Sequence, residues 1–234
     1  MPEHTPRQLL LGITLDNDAT FANYYAAENH QLLEYLHNFV SASEPHLIFL
    51  WGSKASGKTH LLQAACHQAA SLRLDSIYLP LAERSQLAPQ IFEGLESLQL
   101  VCLDDLQGVA GDKDWEMALF RLINQTRETG TVIVMSADRP VLQLDVNLPD
   151  LYSRLQSSTV FSVQNLDDDG KLALLTLRAR RLGIELEPQV ARFILLRAGR
   201  SLYDLLAVLG QLDTHSLVEK RPITIPLVKT VMGW

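Results

Sequence analysis

His46-Leu47-Ile48-Phe49-Leu50-Trp51-Gly52-Ser53-Lys54-Ala55-Ser56-Gly57-Lys58-Thr59 is the stretch that decides the fold. It opens with a continuous apolar run of buried-strand type. Its last eight residues satisfy G-x-x-x-x-G-K-[ST] in full, and a helix pattern follows over about 58–72. Strand, glycine-rich loop and helix in that order form the context that gives the motif its meaning as a phosphate-binding loop. The glycines let the backbone wrap an anion, so main-chain N–H groups and the helix N-terminus face the phosphates. Gly52, Ser56 and Gly57 belong to that cradle. Lys58 is placed to reach the β- and γ-phosphates, and the Thr59 hydroxyl to ligate Mg²⁺. The expected cofactors are ADP or ATP with Mg²⁺.

Outward from this stretch the alternation repeats. A helix pattern over about 29–42 precedes it, with Leu32, Leu33, Leu36, Phe39 and Val40 on one face. Strand patterns follow at Ser76–Leu81, Leu98–Leu103, Thr131–Met135 and Thr159–Val163, separated by helix patterns at 84–97, 114–129 and 149–157. Strands that are apolar throughout and alternate with amphipathic helices imply an α/β fold. The sheet should be five-stranded and parallel, with helices on both faces and right-handed crossovers. Past Gln164 come three consecutive helix patterns, Asp167–Leu182, Pro188–Ala198 and Ser201–Glu219, and a short closing segment, 224–234. Asp167, Asp168 and Asp169 suit a helix N-terminus, and Pro188 suits a first turn. The expected organisation is a tail over 1–15, a nucleotide-binding α/β domain over 16–165 and a small all-α lid over 166–234.

Composition bounds the partners. The chain has 234 residues, 47% hydrophobic and 20% charged, enough for a core of ordinary size. No run is long enough to span a bilayer, and MPEHTPRQLLLGI lacks the regions of a signal peptide, so a cytoplasmic protein with no membrane partner is expected. A net charge of −7 with no Lys/Arg cluster disfavours strong direct binding to duplex DNA. Cys66 and Cys102 read as buried small apolar residues, and the seven histidines show no ligand spacing, so no protein-only metal site is expected.

Three further stretches carry chemistry. Leu100-Val101-Cys102-Leu103-Asp104-Asp105 has the form of a Walker B element. Ligands gather at the carboxyl ends of strands in open α/β sheets, which puts Asp104 at the Mg²⁺ shell. Val132-Ile133-Val134-Met135-Ser136-Ala137-Asp138-Arg139-Pro140 ends another strand in polar residues, and Leu148-Pro149-Asp150-Leu151-Tyr152-Ser153-Arg154-Leu155 carries a Ser-Arg pair. Read from the residues alone, each has a bland alternative. The paired aspartates could be a solvated turn, Asp138 a pre-proline turn residue and Arg154 half of a surface ion pair.

These motifs resemble those of the DnaA-like AAA+ family, and within it the Hda branch of regulatory inactivators, from about residue 8 to the end. The resemblance implies an AAA+ P-loop fold with a helical lid. It puts Asp105 where many AAA+ ATPases carry the glutamate that orients the attacking water, one methylene shorter. Asp138 falls at the sensor 1 position and Arg154 at that of an arginine finger acting in trans. Thr20-Phe21-Ala22-Asn23-Tyr24-Tyr25, followed by Asn29, is similar to the segment that packs near the nucleotide base. This adds Tyr24 and Tyr25 to the nucleotide-binding set, together with His60; by composition, both tyrosines read equally as core. Gln8-Leu9-Leu10-Leu11-Gly12-Ile13 resembles the clamp-binding peptide of Hda proteins, with Gln8, Leu9, Leu11 and Ile13 as its anchors; without the resemblance it reads as a first strand.

One departure is the lid. The sensor 2 position falls on Tyr203, with Arg200 one turn earlier. With Asp105, this implies a weak intrinsic ATPase that holds nucleotide as a conformational ligand; the residues do not choose between ADP and ATP, and the resemblance implies ADP in the active form. The family's DNA-reading helix-turn-helix domain is not expected, because the sequence stops after the lid. The implied function is negative regulation of replication initiation. The partners would be DnaA, whose bound ATP Arg154 would help hydrolyse, and the DNA polymerase III β sliding clamp. DNA would be met indirectly through the clamp, and self-association is left open. The competing reading is a helicase loader or other DNA-remodelling motor that hydrolyses its own ATP.

Overall fold

The strands form where the apolar runs lie. In the computed structural model, residues 15–39, 46–199, 201–219 and 222–234 are described, those of 84–86 and 216–219 by their backbone alone. Gln8, Leu9, Leu11, Ile13 and Arg200 lie outside the described residues. In chain order the main elements are α1 (His30–Phe39), β1 (His46–Trp51), α2 (Lys58–Ser71), β2 (Ser76–Pro80), β3 (Leu100–Asp104), α3 (Lys113–Thr129), β4 (Val132–Ala137), α4 (Pro149–Gln156) and β5 (Thr159–Ser162). Four further helices follow: α5 (Asp168–Arg181), α6 (Pro188–Arg197), α7 (Leu202–Glu219) and α8 (Ile225–Met232). Their contacts make two compact units. One holds 15–24, Leu33–Trp51 and Lys58–Phe161; the other holds Tyr25–Leu32, Gly52–Gly57 and Ser162–Trp234.

The strands form one sheet in the order β2-β3-β4-β1-β5. The β2–β3, β3–β4 and β4–β1 pairs are parallel, with Leu100 facing Val132 and His46 facing Val132 on either side of β4. Strand side chains alternate between faces. On one face Phe49, Val101, Leu103, Ile133 and Met135 join Trp115, Leu119, Leu122, Leu151 and Leu155 of α3 and α4 in a single core. The alternate residues, Ile48, Leu50, Leu100, Cys102, Val132 and Val134, are buried too. Helix α2 packs against β2, β3 and β4, and its Cys66 meets Cys102 of β3. Both cysteines are free and buried, and burial pushes the Cys102 thiol well above its usual range. The sheet is therefore covered on both faces across its inner strands, as apolar strands require, while the edge strand β5 is largely exposed.

One expected helix is absent. Over 84–97 the backbone makes short 3₁₀ turns, Leu81–Gln86, Pro89–Phe92 and Leu95–Ser97. Pro89 lacks an N–H and drives Ala88 into extended backbone (φ −125°, ψ 154°), while Gly94 turns left-handed (φ +84°). Either residue stops an α-helix, and together they divide the segment.

The second unit has its own core. Leu175, Ala179, Val190, Ile194, Leu209 and Leu212 meet with Val228 across α5–α8. The helix starts are as written in the sequence: Asp167 caps α5 by accepting from the Gly170 N–H, and Pro188 opens α6. The 224–234 segment is helix α8, capped by Thr224. Among the described residues no helix is long and apolar enough to cross a membrane.

Candidate functional site

The loop between β1 and α2 is shaped by its glycines. A Cβ on Gly52 would lie 2.6 Å from the Val163 carbonyl oxygen, so only glycine fits there. Gly57 takes φ +95°, a conformation that glycine adopts without steric cost. Ala55 takes φ +65°, a left-handed strain that the sequence pattern gave no reason to expect. Asn165 Nδ2 donates to Ser53 Oγ at 2.6 Å and braces the loop from within the second unit. In the same unit Asn29 exchanges two hydrogen bonds with the Gln164 backbone, at 2.9 and 2.8 Å. Ser56 is 7% exposed, and its Oγ finds no partner among the described residues. A buried hydroxyl left unsatisfied inside a loop of this shape is what a bound phosphate would satisfy.

In the first unit the chemistry gathers at the carboxyl ends of β3 and β4. Asp104 is buried, and its carboxylate accepts hydroxyls from three elements. Thr59 Oγ1 donates to Oδ2 at 2.6 Å, Tyr78 from β2 to Oδ2 at 2.8 Å, and Ser136 from β4 to Oδ1. Burial, with Asp104 next to it, pushes the Tyr78 phenol far up, so it remains a donor. Asp105 sits left-handed (φ 60°, ψ 55°), and its N–H donates to Ser136 Oγ at 3.0 Å. Gln107 links two candidates: its Nε2 donates to Asp105 Oδ1 at 2.9 Å, and its Oε1 accepts the Asp138 N–H at 3.1 Å.

Lys58, 7% exposed, opens α2 beside this group. Burial pulls its ammonium below the usual lysine value, and Asp105, Asp104 and Asp138 pull it back. Three carboxylates face the Lys58 ammonium and the Arg139 guanidinium, one negative charge in excess, and a hydroxyl with one carboxylate is a donor set that suits Mg²⁺, which keeps most of its waters. Asp138 also holds Arg139 through two bonds, at 2.7 and 2.9 Å, which keeps its own carboxyl below the usual range. Tyr24 rests on His60, ring centroids 5.5 Å apart, and His60 Nε2 donates to the Thr20 carbonyl at 2.8 Å. Tyr25 lies in the second unit, half-buried.

Arg154 is not with them. In the last turn of α4 it lines a cavity of about 260 Å³ together with His46, Thr131 and Thr159, at the amino ends of β1, β4 and β5. Lys58 and Asp104 lie at the other end of the strands. Five residue steps from His46 to Trp51, at about 3.3 Å each, put roughly 16 Å between the two ends. Helix α4 is fixed at its start by Glu116 of α3, a residue the sequence did not single out. It is 2% exposed and accepts the N–H groups of Gly111 (2.8 Å), Asn147 (3.0 and 3.1 Å) and Leu148 (2.8 Å). In the lid, Tyr203 at the start of α7 is 78% exposed.

Known proteins match this architecture in both of its parts. Residues 15–162 match the bacterial DnaA ATPase domain, and residues 168–232 match the lid domain of Hda. Domain III of the Thermotoga maritima replication initiation protein DnaA is similar in fold. Its TM-score is 0.76 at 19% identity, over 94% of this chain and 98% of that one. An AMPPCP-bound DnaA from Aquifex aeolicus gives 0.73 at 22% identity over 85% and 66%. A replication initiator DnaA bound to AMPPCP and single-stranded DNA gives 0.71 at 24% identity over 85% and 65%. The chain thus spans about two thirds of the length of those two DnaA chains. With the five-stranded sheet, its loop and its helical lid, the chain belongs to the bacterial DnaA ATPase-domain family, as an AAA+ protein whose lid matches that of Hda.

Proposed function

We propose that this protein is a negative regulator of replication initiation that completes the ATPase site of a partner DnaA. It holds adenine nucleotide, ADP in its active form, on residues 52–59. It docks on the DNA polymerase III β sliding clamp through Gln8–Ile13 and presents Arg154 to ATP on DnaA. The observation that carries the reading is the separation within the first unit: Arg154 stands at the amino ends of the strands, while Lys58 and Asp104 stand at the carboxyl ends. A guanidinium there cannot serve its own chain's phosphates, but it is available to a neighbour's.

The residues divide the work. Backbone N–H groups of Gly52–Gly57, the Ser56 hydroxyl and Lys58 take the phosphates, in a family whose DnaA members have been seen with AMPPCP. Thr59 and Asp104 would hold Mg²⁺, which neutralises phosphate charge when bound. Tyr78 and Ser136 keep the Asp104 carboxylate fixed between them, and Gln107 occupies Asp105. An aspartate one methylene short and already engaged is a poor base for water, which supports slow hydrolysis in cis. On the partner, a planar and permanently charged guanidinium can clamp phosphoryl oxygens as negative charge shifts in the transition state.

The test is direct. DnaA preloaded with labelled ATP is mixed with this protein and DNA-loaded clamp, and hydrolysis is followed in a single turnover. Acceleration that needs both the protein and the clamp is expected. No acceleration, alongside brisk ATP turnover by the protein alone, would make it a motor instead.

A further inference from the structure

We propose that Arg127 works beside Arg154 as a second cation for the phosphate chain of the nucleotide held by the partner ATPase. The inference rests on the arginine-finger reading above and names a residue that this reading does not require.

The cavity that Arg154 lines is also lined by Arg127, from the last turn of α3. Two helices that start at different places thus bring their C-terminal arginines to one concavity of about 260 Å³. Pockets for whole small molecules run from about 300 to 1,000 Å³, so this one lies at the small end and has room for a phosphate chain. Its other polar groups are largely occupied. Thr131 Oγ1 is bonded to the carbonyls of Glu96 and Leu98, and Ser157 Oγ donates to the Arg154 carbonyl. No Asp or Glu lines the cavity, and neither arginine makes an ion pair among the described residues. Two arginines lining one concavity bring two permanent positive charges to it, and an anion entering there can gain charge-assisted bonds to both. His46 lines the same cavity, its ring edge-on to Phe39 with centroids 4.3 Å apart.

A helix C-terminus favours a basic residue by itself. If that were the whole role of Arg127, its loss would lower stability and leave the partner's chemistry alone. The experiment separates the two roles. Single-turnover hydrolysis of ATP on DnaA is measured at increasing concentrations of wild type, Arg127→Gln, Arg127→Lys and Arg154→Ala, with DNA-loaded clamp present. Melting curves and ADP binding are recorded for each. Arg127→Gln keeps much of the stem and its packing. It is expected to lower the rate at saturating protein tenfold or more. The concentration for half-stimulation, the melting temperature and ADP binding should stay unchanged. Arg127→Lys should recover only part of the rate, because a point charge lacks the planar fork.

Arg127→Gln stimulating like wild type while Arg154→Ala is inactive overturns the role of Arg127 and leaves the finger standing. A change only in the half-stimulating concentration makes Arg127 a docking residue and also overturns the proposal. Full stimulation by Arg154→Ala would remove the finger reading itself, and this inference with it.

Discussion

Replacing Glu116 by Gln should loosen the helix that carries Arg154, and the structure sets the size of the effect. Glu116 is 2% exposed and accepts backbone N–H groups on both oxygens, from Gly111 and Asn147 on one and Asn147 and Leu148 on the other. Leu148 is the cap residue of α4, so the carboxylate ties the turn before α3 to the start of the helix that carries Arg154. An amide in its place has one oxygen to accept with and an NH₂ that faces a backbone donor. At least one buried N–H then loses its partner, at a cost of about 1–3 kcal/mol, and a charge-assisted bond becomes a neutral one. A total loss of about 2–3 kcal/mol corresponds to a fall of about 4–12 °C in melting temperature for a chain of this size. Glu116→Ala, which strands all the donors, should cost more. Thermal and urea unfolding of the three proteins measure this. Among molecules still folded, stimulation of DnaA should fall because Arg154 is no longer held in place. Equal melting temperatures in wild type and both variants would refute the reasoning, since a carboxylate anchoring these donors cannot be removed without cost.

Two further expectations concern the other binding functions. Lys58→Ala should abolish tight ADP binding and keep the fold. Saturating ADP, at 100 times its dissociation constant, adds about 2.7 kcal/mol of stability to a protein that binds it, so wild type should melt higher with ADP and the variant should not; equal shifts in both would remove the loop from the site. Gln8→Ala with Leu11→Ala should abolish clamp binding in calorimetric titration while ADP binding persists, and an unchanged affinity would make Gln8–Ile13 structural.

The parts legible in the sequence were those written in contiguous residues. The apolar runs at 46–51, 98–103 and 131–135 led to the strands His46–Trp51, Leu100–Asp104 and Val132–Ala137 because strands covered on both faces are apolar along most of their length. Lys58, Thr59 and Asp104 stood out as candidates because loop and strand end carry fixed residue types, and the structure brings the three side by side. The 84–97 segment was misread because its helical spacing of apolar residues outweighed Pro89 and Gly94, which decide its backbone. Tyr78, Ser136 and Gln107 carried no local signal. Tyr78 and Ser136 meet Asp104 from neighbouring strands, 26 and 32 residues away along the chain, and Gln107, beside Asp105 in sequence, takes the Asp138 N–H from 31 residues away, so the sheet order brings these contacts together. Glu116 was hidden for the same reason: on α3 it reads as an ordinary polar residue, and only the packing of α3 beside α4 sets it against the N–H groups of Asn147 and Leu148.

The most direct measurement of the central claim is single-turnover hydrolysis of labelled ATP preloaded on DnaA, with DNA-loaded clamp and either wild type or the Arg154→Ala protein. An arginine supplied in trans is worth about 10³- to 10⁵-fold in well-studied nucleotidases, so Arg154→Ala should lose nearly all stimulation while retaining ADP and clamp binding. Arg154→Lys should restore little of it. Stimulation by Arg154→Ala equal to that of wild type would contradict a finger at this position and, with it, regulation through the partner's ATP.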